Sequence, residues 1–384
     1  MDVRFLMMVN DSFPDDLDLD YPSLEVVERP IQYALVTIFS LTAALSLTGN
    51  ITVILVLSLG HRSSSELKSF LINLAVSDVA MAVFSIPFTY TMFLLGRWIF
   101  EPWFCPVVMT MQHTSVLVSV YTLTAIGIDR YKAITNPLGR RATASRNGLV
   151  ISMIWVFSFF VSSFQFRISW ATSFFYDKQY YYKCQEHWDS EEESQYYTLF
   201  VFIITFFIPL LALTYTYSAV AYKLWRTSAP GNADPARDNA QLRAKWKVTK
   251  MLVTIVVLFS VCWLPLQTFV LLFYFIPGFG KFYTDAQRRV YALSYFGCLW
   301  LANANSFVNP LVYSFMSENF RSDVKDLFKK IAGCSMSKED HMPARSITRT
   351  TVCQESVRSS KYLKKDSSEN NIELMDHKSQ GHFV

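Results

Sequence analysis

Two acids stand where apolar sequence should exclude them. Asp129 is followed by Arg130 and Tyr131 at the close of a long apolar run, in IGIDRYKA, and Asp78 ends the apolar stretch NLAVSD. An acid, a base and a tyrosine at the edge of such a run could serve as a switch. The simpler reading is an anchor at a water boundary, and the rest of the chain decides between the two. A carboxylate deep in an apolar segment needs a proton, a cation or several hydrogen-bond donors, so Asp78 is the one residue suited to hold a metal ion. Ser119 in the third apolar segment and Asn303, Asn305, Ser306 and Asn309 in the seventh could complete a polar cluster, with Asn305 and Asn309 on one helix face. Taken singly, each asparagine is better read as a structural interhelical hydrogen bond. No nucleophile, base and acid stand together, and His113 is the only histidine inside an apolar segment, so enzyme chemistry is not expected.

The elements that carry these residues follow from composition. Of 384 residues 52% are hydrophobic and only 17% charged, which points to a membrane protein. Seven stretches reach the length of about 20 apolar residues that a spanning helix needs: 31–59, 70–95, 104–128, 149–168, 197–222, 248–275 and 290–315. They are continuous rather than alternating, which excludes a membrane barrel. The expected fold is an all-α membrane protein, a seven-transmembrane helix bundle at 31–316. A tail at 1–30 precedes it, and a short amphipathic eighth helix at 317–334 and a disordered cytoplasmic tail at 335–384 follow.

Basic residues follow the third, fifth and seventh segments, whereas Asp11 to Asp20 precede the first and Glu191, Glu192 and Glu193 lie in the loop between the fourth and fifth. The positive side is cytoplasmic, so the N-terminus is expected outside a plasma-membrane, multi-pass protein. No cleavable signal peptide is evident, and Asn10 heads a glycosylation sequon in the exterior tail. Cys105 and Cys184 are the two of six cysteines expected on the oxidising side, which pairs them. Cys334 closes the amphipathic stretch, where a palmitoyl group would add to its hold on membrane lipids; an unmodified thiol is the alternative. Residues 227–242 and the terminal tail are read as flexible. Prolines at Pro87, Pro209, Pro265 and Pro310 interrupt the ladders of four segments.

Gly49-Asn50, LAVSD ending at Asp78, Cys105, DRY at 129–131, Trp155, Cys184, Pro209 with Tyr217, CWLP at 262–265 and NPLVY at 309–313 occur in order, about one per segment. Together they make the chain, over roughly 31–331, similar to rhodopsin-family (class A) G-protein-coupled receptors. The resemblance implies that Asp129, Arg130, Tyr131, Tyr217 and Tyr313 form a switch facing a heterotrimeric G protein. It also implies that Trp263, Phe259, Pro265, Pro209, Asn309 and Pro310 relay activation. Asp78, Ser119, Asn305 and Asn309 match the family's sodium pocket, so an allosteric sodium ion is the only cofactor expected. The stretch RAKWKVTK at 243–250 has no acid to lock Arg130, from which some basal activity is expected.

The seventh segment has no lysine for retinal, and Gln112 stands where aminergic receptors carry an aspartate. The sequence most resembles receptors of the neuropeptide Y, neuropeptide FF, orexin and tachykinin group. That implies an extracellular peptide, basic and amidated, held by Gln112, Gln267, Tyr295, Glu186, Glu191, Glu192 and Glu193, the acids steering its cations. Receptor kinases and arrestin are further expected partners at the Ser/Thr-rich tail, and nucleic acid is not. The alternatives are a constitutively active or non-peptide receptor and, from another class, a seven-span transporter, against which the absence of an inverted repeat counts.

Overall fold

The computed structural model describes residues 27–60, 65–135, 144–226 and 235–339. Eleven helices are seen among them: α1 (Arg29–Leu59), α2 (Ser65–Phe84), α3 (Ile86–Leu95), α4 (Phe104–Thr135), α5 (Ala144–Ser162), α6 (Gln165–Ile168), α7 (Glu191–Phe202), α8 (Ile208–Arg226), α9 (Pro235–Phe275), α10 (Asp285–Met316) and α11 (Glu318–Glu339). Each of the seven apolar stretches falls on helix, and a hairpin of β1 (Ser169–Tyr176) and β2 (Gln179–Glu186) lies between the fourth and fifth. Asn10, Cys353 and the Ser/Thr-rich tail lie outside the described residues, as does the side chain of Cys334.

By length and composition, five helical stretches can cross a membrane: Arg29–Leu59, Leu67–Thr89, Arg146–Ile168, Glu191–Arg226 and Lys245–Phe275. The other two stretches, on α4 and α10, are more polar because their polar residues turn inward. Gln112, Thr114, Ser115 and Ser119 of α4 are buried, as are Asn303, Asn305, Ser306 and Asn309 of α10. Apolar side chains face outward elsewhere, as with Val156 and Phe160 on α5, which is the pattern of a lipid-facing surface.

α4 packs against α2, α5 and α8, while α10 packs against α1 and α9, so α4 is the inner post of the array. Polar side chains stitch the posts together. Asn73 of α2 donates to Thr122 Oγ1 of α4 (2.7 Å) and accepts from Trp155 Nε1 of α5 (2.8 Å). Pro310 has no N–H for the carbonyl of Ser306, four residues earlier, and Asn50 Nδ2 of α1 fills that place at 2.8 Å. Gly49 permits the approach, since a Cβ there would lie 3.1 Å from the Pro310 ring.

Pro209 is handled the same way. A π turn, Ile203–Phe207, separates α7 from α8, and in π geometry the residue bonding to the Ile204 carbonyl would be Pro209, which has no N–H. Tyr121 Oη of α4 donates to that carbonyl instead, at 3.2 Å. Tyr121→Phe is therefore expected to lower the melting temperature of the detergent-purified protein, by a loss on the order of 1 kcal/mol. An unchanged melting curve would mean that the carbonyl finds another donor.

The interruption expected at Pro87 is present: the second stretch breaks at Ser85, because Pro87 cannot donate to Val83. Three expectations about the elements change. The segment 227–242 is not all loop, since α9 already begins at Pro235, a residue that the first helical turn tolerates. Glu191, Glu192 and Glu193 are not loop residues but the first turn of α7. There Ser190 caps the helix, accepting from Glu193 N at 3.1 Å, and Glu193 Oε2 accepts from Asp189 N. Finally, the last helix runs from Glu318 to Glu339, past Cys334.

Candidate ligand cavity and Arg130 switch

The disulfide joins Cys105, at the start of α4, to Cys184 of β2, as their pairing on the oxidising side required. It fixes the hairpin over one end of the helices. The hairpin itself turns through Asp177 and Lys178, both at positive φ (44° and 61°), the geometry of a tight two-residue turn. Along β2 alternate residues share a face, so Cys184 and Glu186 both turn inward and are buried.

Beneath them lies a cavity of about 740 Å³, counting the part open to solvent. Gln112, His113 and Val116 of α4 form one wall, and Tyr197, Thr198 and Val201 of α7 with Thr205 of the π turn form another. Trp263, Leu266, Gln267, Val270 and Tyr274 of α9 form the third, and Glu186 reaches in from β2. The wall is mostly apolar with a few converging polar groups, the makeup of a small-ligand or peptide-end site.

Glu186 is 3% exposed, and its Oε1 accepts from Gln165 Nε2 at 2.9 Å. Gln165 also donates to Tyr197 Oη at 3.0 Å and accepts from Ser169 Oγ, so α6, the hairpin and α7 together orient the carboxylate. Of the residues expected to hold a ligand, Gln112, Gln267 and Glu186 are thus brought together. Tyr295 is buried against Phe269, ring centroids 5.6 Å apart, outside the lining, while Glu191 and Glu192 are exposed and Glu193 is half-buried, all three outside the lining too. Tyr197 and Thr205 were not among those expected ligand contacts, and no local motif marks them; His113 follows Gln112 directly in α4 and lines the same wall.

An aromatic column leads inward from the cavity. Trp263 lies 6.1 Å from Phe259, and Phe259 lies 6.3 Å from Phe206, measured between ring centroids. Trp263 Nε1 is buried with no hydrogen-bond partner among the described residues. Deeper, Asp78 is 1% exposed and its Oδ2 accepts from Asn309 Nδ2 at 2.8 Å. Asn305 and Ser119 are buried too, and Ser119 Oγ has no partner among the described residues. No group of three or more His, Cys, Asp or Glu side chains is present there. One carboxylate with neutral oxygens fits a singly charged hard cation and not a zinc-type ion.

At the far end of α4, Arg130 Nη2 pairs with Asp129 Oδ2 at 2.7 Å, with side chains 19% and 13% exposed. The arginine is therefore held by its neighbour on the same helix and not by α9. Tyr217 and Tyr313 are buried, and Tyr313 Oη is without a partner among the described residues. Tyr313 packs on Phe320, centroids 6.1 Å apart, which ties the end of α10 to the first turn of α11.

The cavity under the disulfide-tethered hairpin and the Asp129-paired Arg130 thus lie at opposite ends of α4. The family of 7 transmembrane receptors (rhodopsin family) matches residues 49–313, and the chain belongs to it. Similar proteins include a RYamide receptor of Drosophila melanogaster, 33% identical over 317 residues, covering 79% of this chain and 66% of that receptor. A substance-P receptor of Aquarana catesbeiana is 30% identical over 310 residues, 79% of this chain and 73% of its own length. A QRFP-like peptide receptor of Branchiostoma floridae is 30% identical over 319 residues, 82% of this chain and 81% of its own. The chain thus spans just under two thirds of the first of these relatives and more of the others. As a member of this family it is a multi-pass membrane receptor and not an enzyme.

Proposed function

We propose that this chain is a cell-surface receptor for a neuropeptide with a basic, amidated end, and that it passes ligand binding to a heterotrimeric G protein. The observation that carries this reading is the buried Glu186 carboxylate, the one acid among the described residues lining a cavity of apolar, aromatic, hydroxyl and amide groups and the His113 imidazole. A carboxylate held out of water recognises a desolvated cation far better than a neutral group, and the neighbouring amides of Gln112 and Gln267 suit a carboxamide. The names of the relatives, RYamide, substance-P and QRFP-like peptide receptor, agree with a peptide ligand.

In this reading seven segments span the membrane, with α3 completing the second and α7 and α8 joined through the π turn as the fifth. The disulfide end and the N-terminus face outside. α11 lies along the cytoplasmic surface, its stem in contact with lipid, and Cys334 is its palmitoylation site. Asp78, Ser119, Asn305 and Asn309 would hold a sodium ion, whose charge would offset the buried carboxylate. The ligand's push on Trp263 passes down the aromatic column to Phe259, frees Arg130 from Asp129, and lets it turn toward Tyr217 and Tyr313 and the G protein. Receptor kinases and arrestin act on the tail.

Calcium and cyclic AMP output from cells expressing the chain, challenged with a library of amidated peptides, tests the reading. A response confined to arginine-containing peptides is expected; high output without any peptide, or a response only to non-peptide ligands, would replace it with the constitutive or non-peptide alternative.

A further inference from the structure

α9 is one helix from Pro235 to Phe275 with Pro265 inside it. Pro265 leaves the Val261 carbonyl without its helical partner, so the ladder is weakest there and the part before it can pivot. From Pro265 to Lys247 that lever is about 27 Å long at 1.5 Å per residue. Lys247 belongs to the acid-free stretch RAKWKVTK, and its Nζ lies 2.5 Å from Oε1 of Glu318.

Glu318 is firmly placed. α10 stops at Met316, Ser317 is extended (φ −104°, ψ 109°), and Ser317 Oγ accepts from Phe320 N at 3.3 Å, capping α11. Phe320 is buried against Tyr313. The carboxylate also stands in the first turn of α11, where the helix dipole favours an acid. The hydrogen bond and charge of Lys247 hold the Glu318 carboxyl below the usual glutamate range, so Glu318 meets the lysine as a carboxylate at cytosolic pH.

We propose that Lys247 and Glu318 form a latch that holds the inner end of α9 against the start of α11 in the resting receptor, and that opening it raises ligand-independent signalling. This rests on the receptor reading above. The latch has the reverse polarity of a lock onto Arg130: the base is on α9 and the acid on α11, while Arg130 stays with Asp129. Both side chains are largely exposed (48% and 70%), so the latch is weak and salt-sensitive, and breaking it shifts the resting-to-active ratio by about two- to fivefold.

The test is a charge swap in the full chain, purified into lipid discs with a purified G-protein heterotrimer, reading nucleotide exchange without ligand. Lys247→Glu and Glu318→Lys each raise basal exchange about two- to fivefold, and the double swap returns it to wild type. Raised salt lifts wild type but not the single variants. Because Lys247 could also touch the G protein, a second readout omits it: spin labels at Lys132 and Arg243 report a longer distance in each single variant and the wild-type distance in the swap. Single variants that match wild type, or a swap as active as either, would overturn the latch. If wild type never promotes exchange with any peptide, the receptor reading fails, and the label distances still decide whether the pair holds α9.

Discussion

Arg130→Ala is expected to abolish peptide-driven nucleotide exchange at unchanged surface expression, while Asp129→Asn moves the other way and raises exchange without ligand. The opposite signs follow from one ion pair. At 2.7 Å and with both side chains mostly buried, Asp129 restrains a guanidinium that can offer a planar fork of donors to a partner. Removing the fork removes the output; removing the restraint frees it. Arg130→Lys keeps the charge but not the fork and should recover only a small part of the response. A purely structural pair would give a different pattern, in which both neutral variants lower surface expression and neither changes output per receptor.

Glu186→Gln is expected to weaken an arginine-containing peptide by about 2–4 kcal/mol, or roughly 30- to 1,000-fold in potency. The glutamine keeps the shape and can keep a hydrogen bond to Gln165, so the loss reports the charge. Replacing the peptide's arginine with citrulline should cost wild type a similar factor and cost the Glu186→Gln variant little more, since in that variant the arginine no longer meets a carboxylate. By contrast, the Glu191 to Glu193 turn has its first two acids exposed and its third half-buried and committed to capping α7. Neutralising it should slow association at low salt with little change in affinity at physiological salt. Equal potency of the arginine peptide on wild type and Glu186→Gln would remove Glu186 from the site.

The contrast between these acids shows where a sequence stops informing. Glu186 and Glu193 are the same residue type seven positions apart, and only the inward face of β2 and the Ser190 cap separate a buried cavity carboxylate from a capping one. The long apolar stretches were legible because a spanning helix imposes length and composition together. Asp78 stood out because a carboxylate within such a helix is rare, and Arg130 and Trp263 stood out through the motifs that carry the family resemblance. The hairpin was not, because its turn uses Asp177 and Lys178 where a glycine would have announced positive φ. Its alternation of aromatic residues was visible in principle in SWATSFFY and QYYYKCQE. The donors that compensate the prolines, Asn50 for Pro310 and Tyr121 for Pro209, and the pairing of Lys247 with Glu318, join residues far apart in the chain. No local spacing encodes them.

The most direct test is nucleotide exchange by a purified G-protein heterotrimer with the purified chain in lipid discs, with and without an amidated, arginine-containing peptide. The account predicts that the peptide accelerates exchange and that its citrulline analogue does so only at far higher concentration. Exchange that neither peptide accelerates, from a chain that is folded and disulfide-bonded, would contradict it.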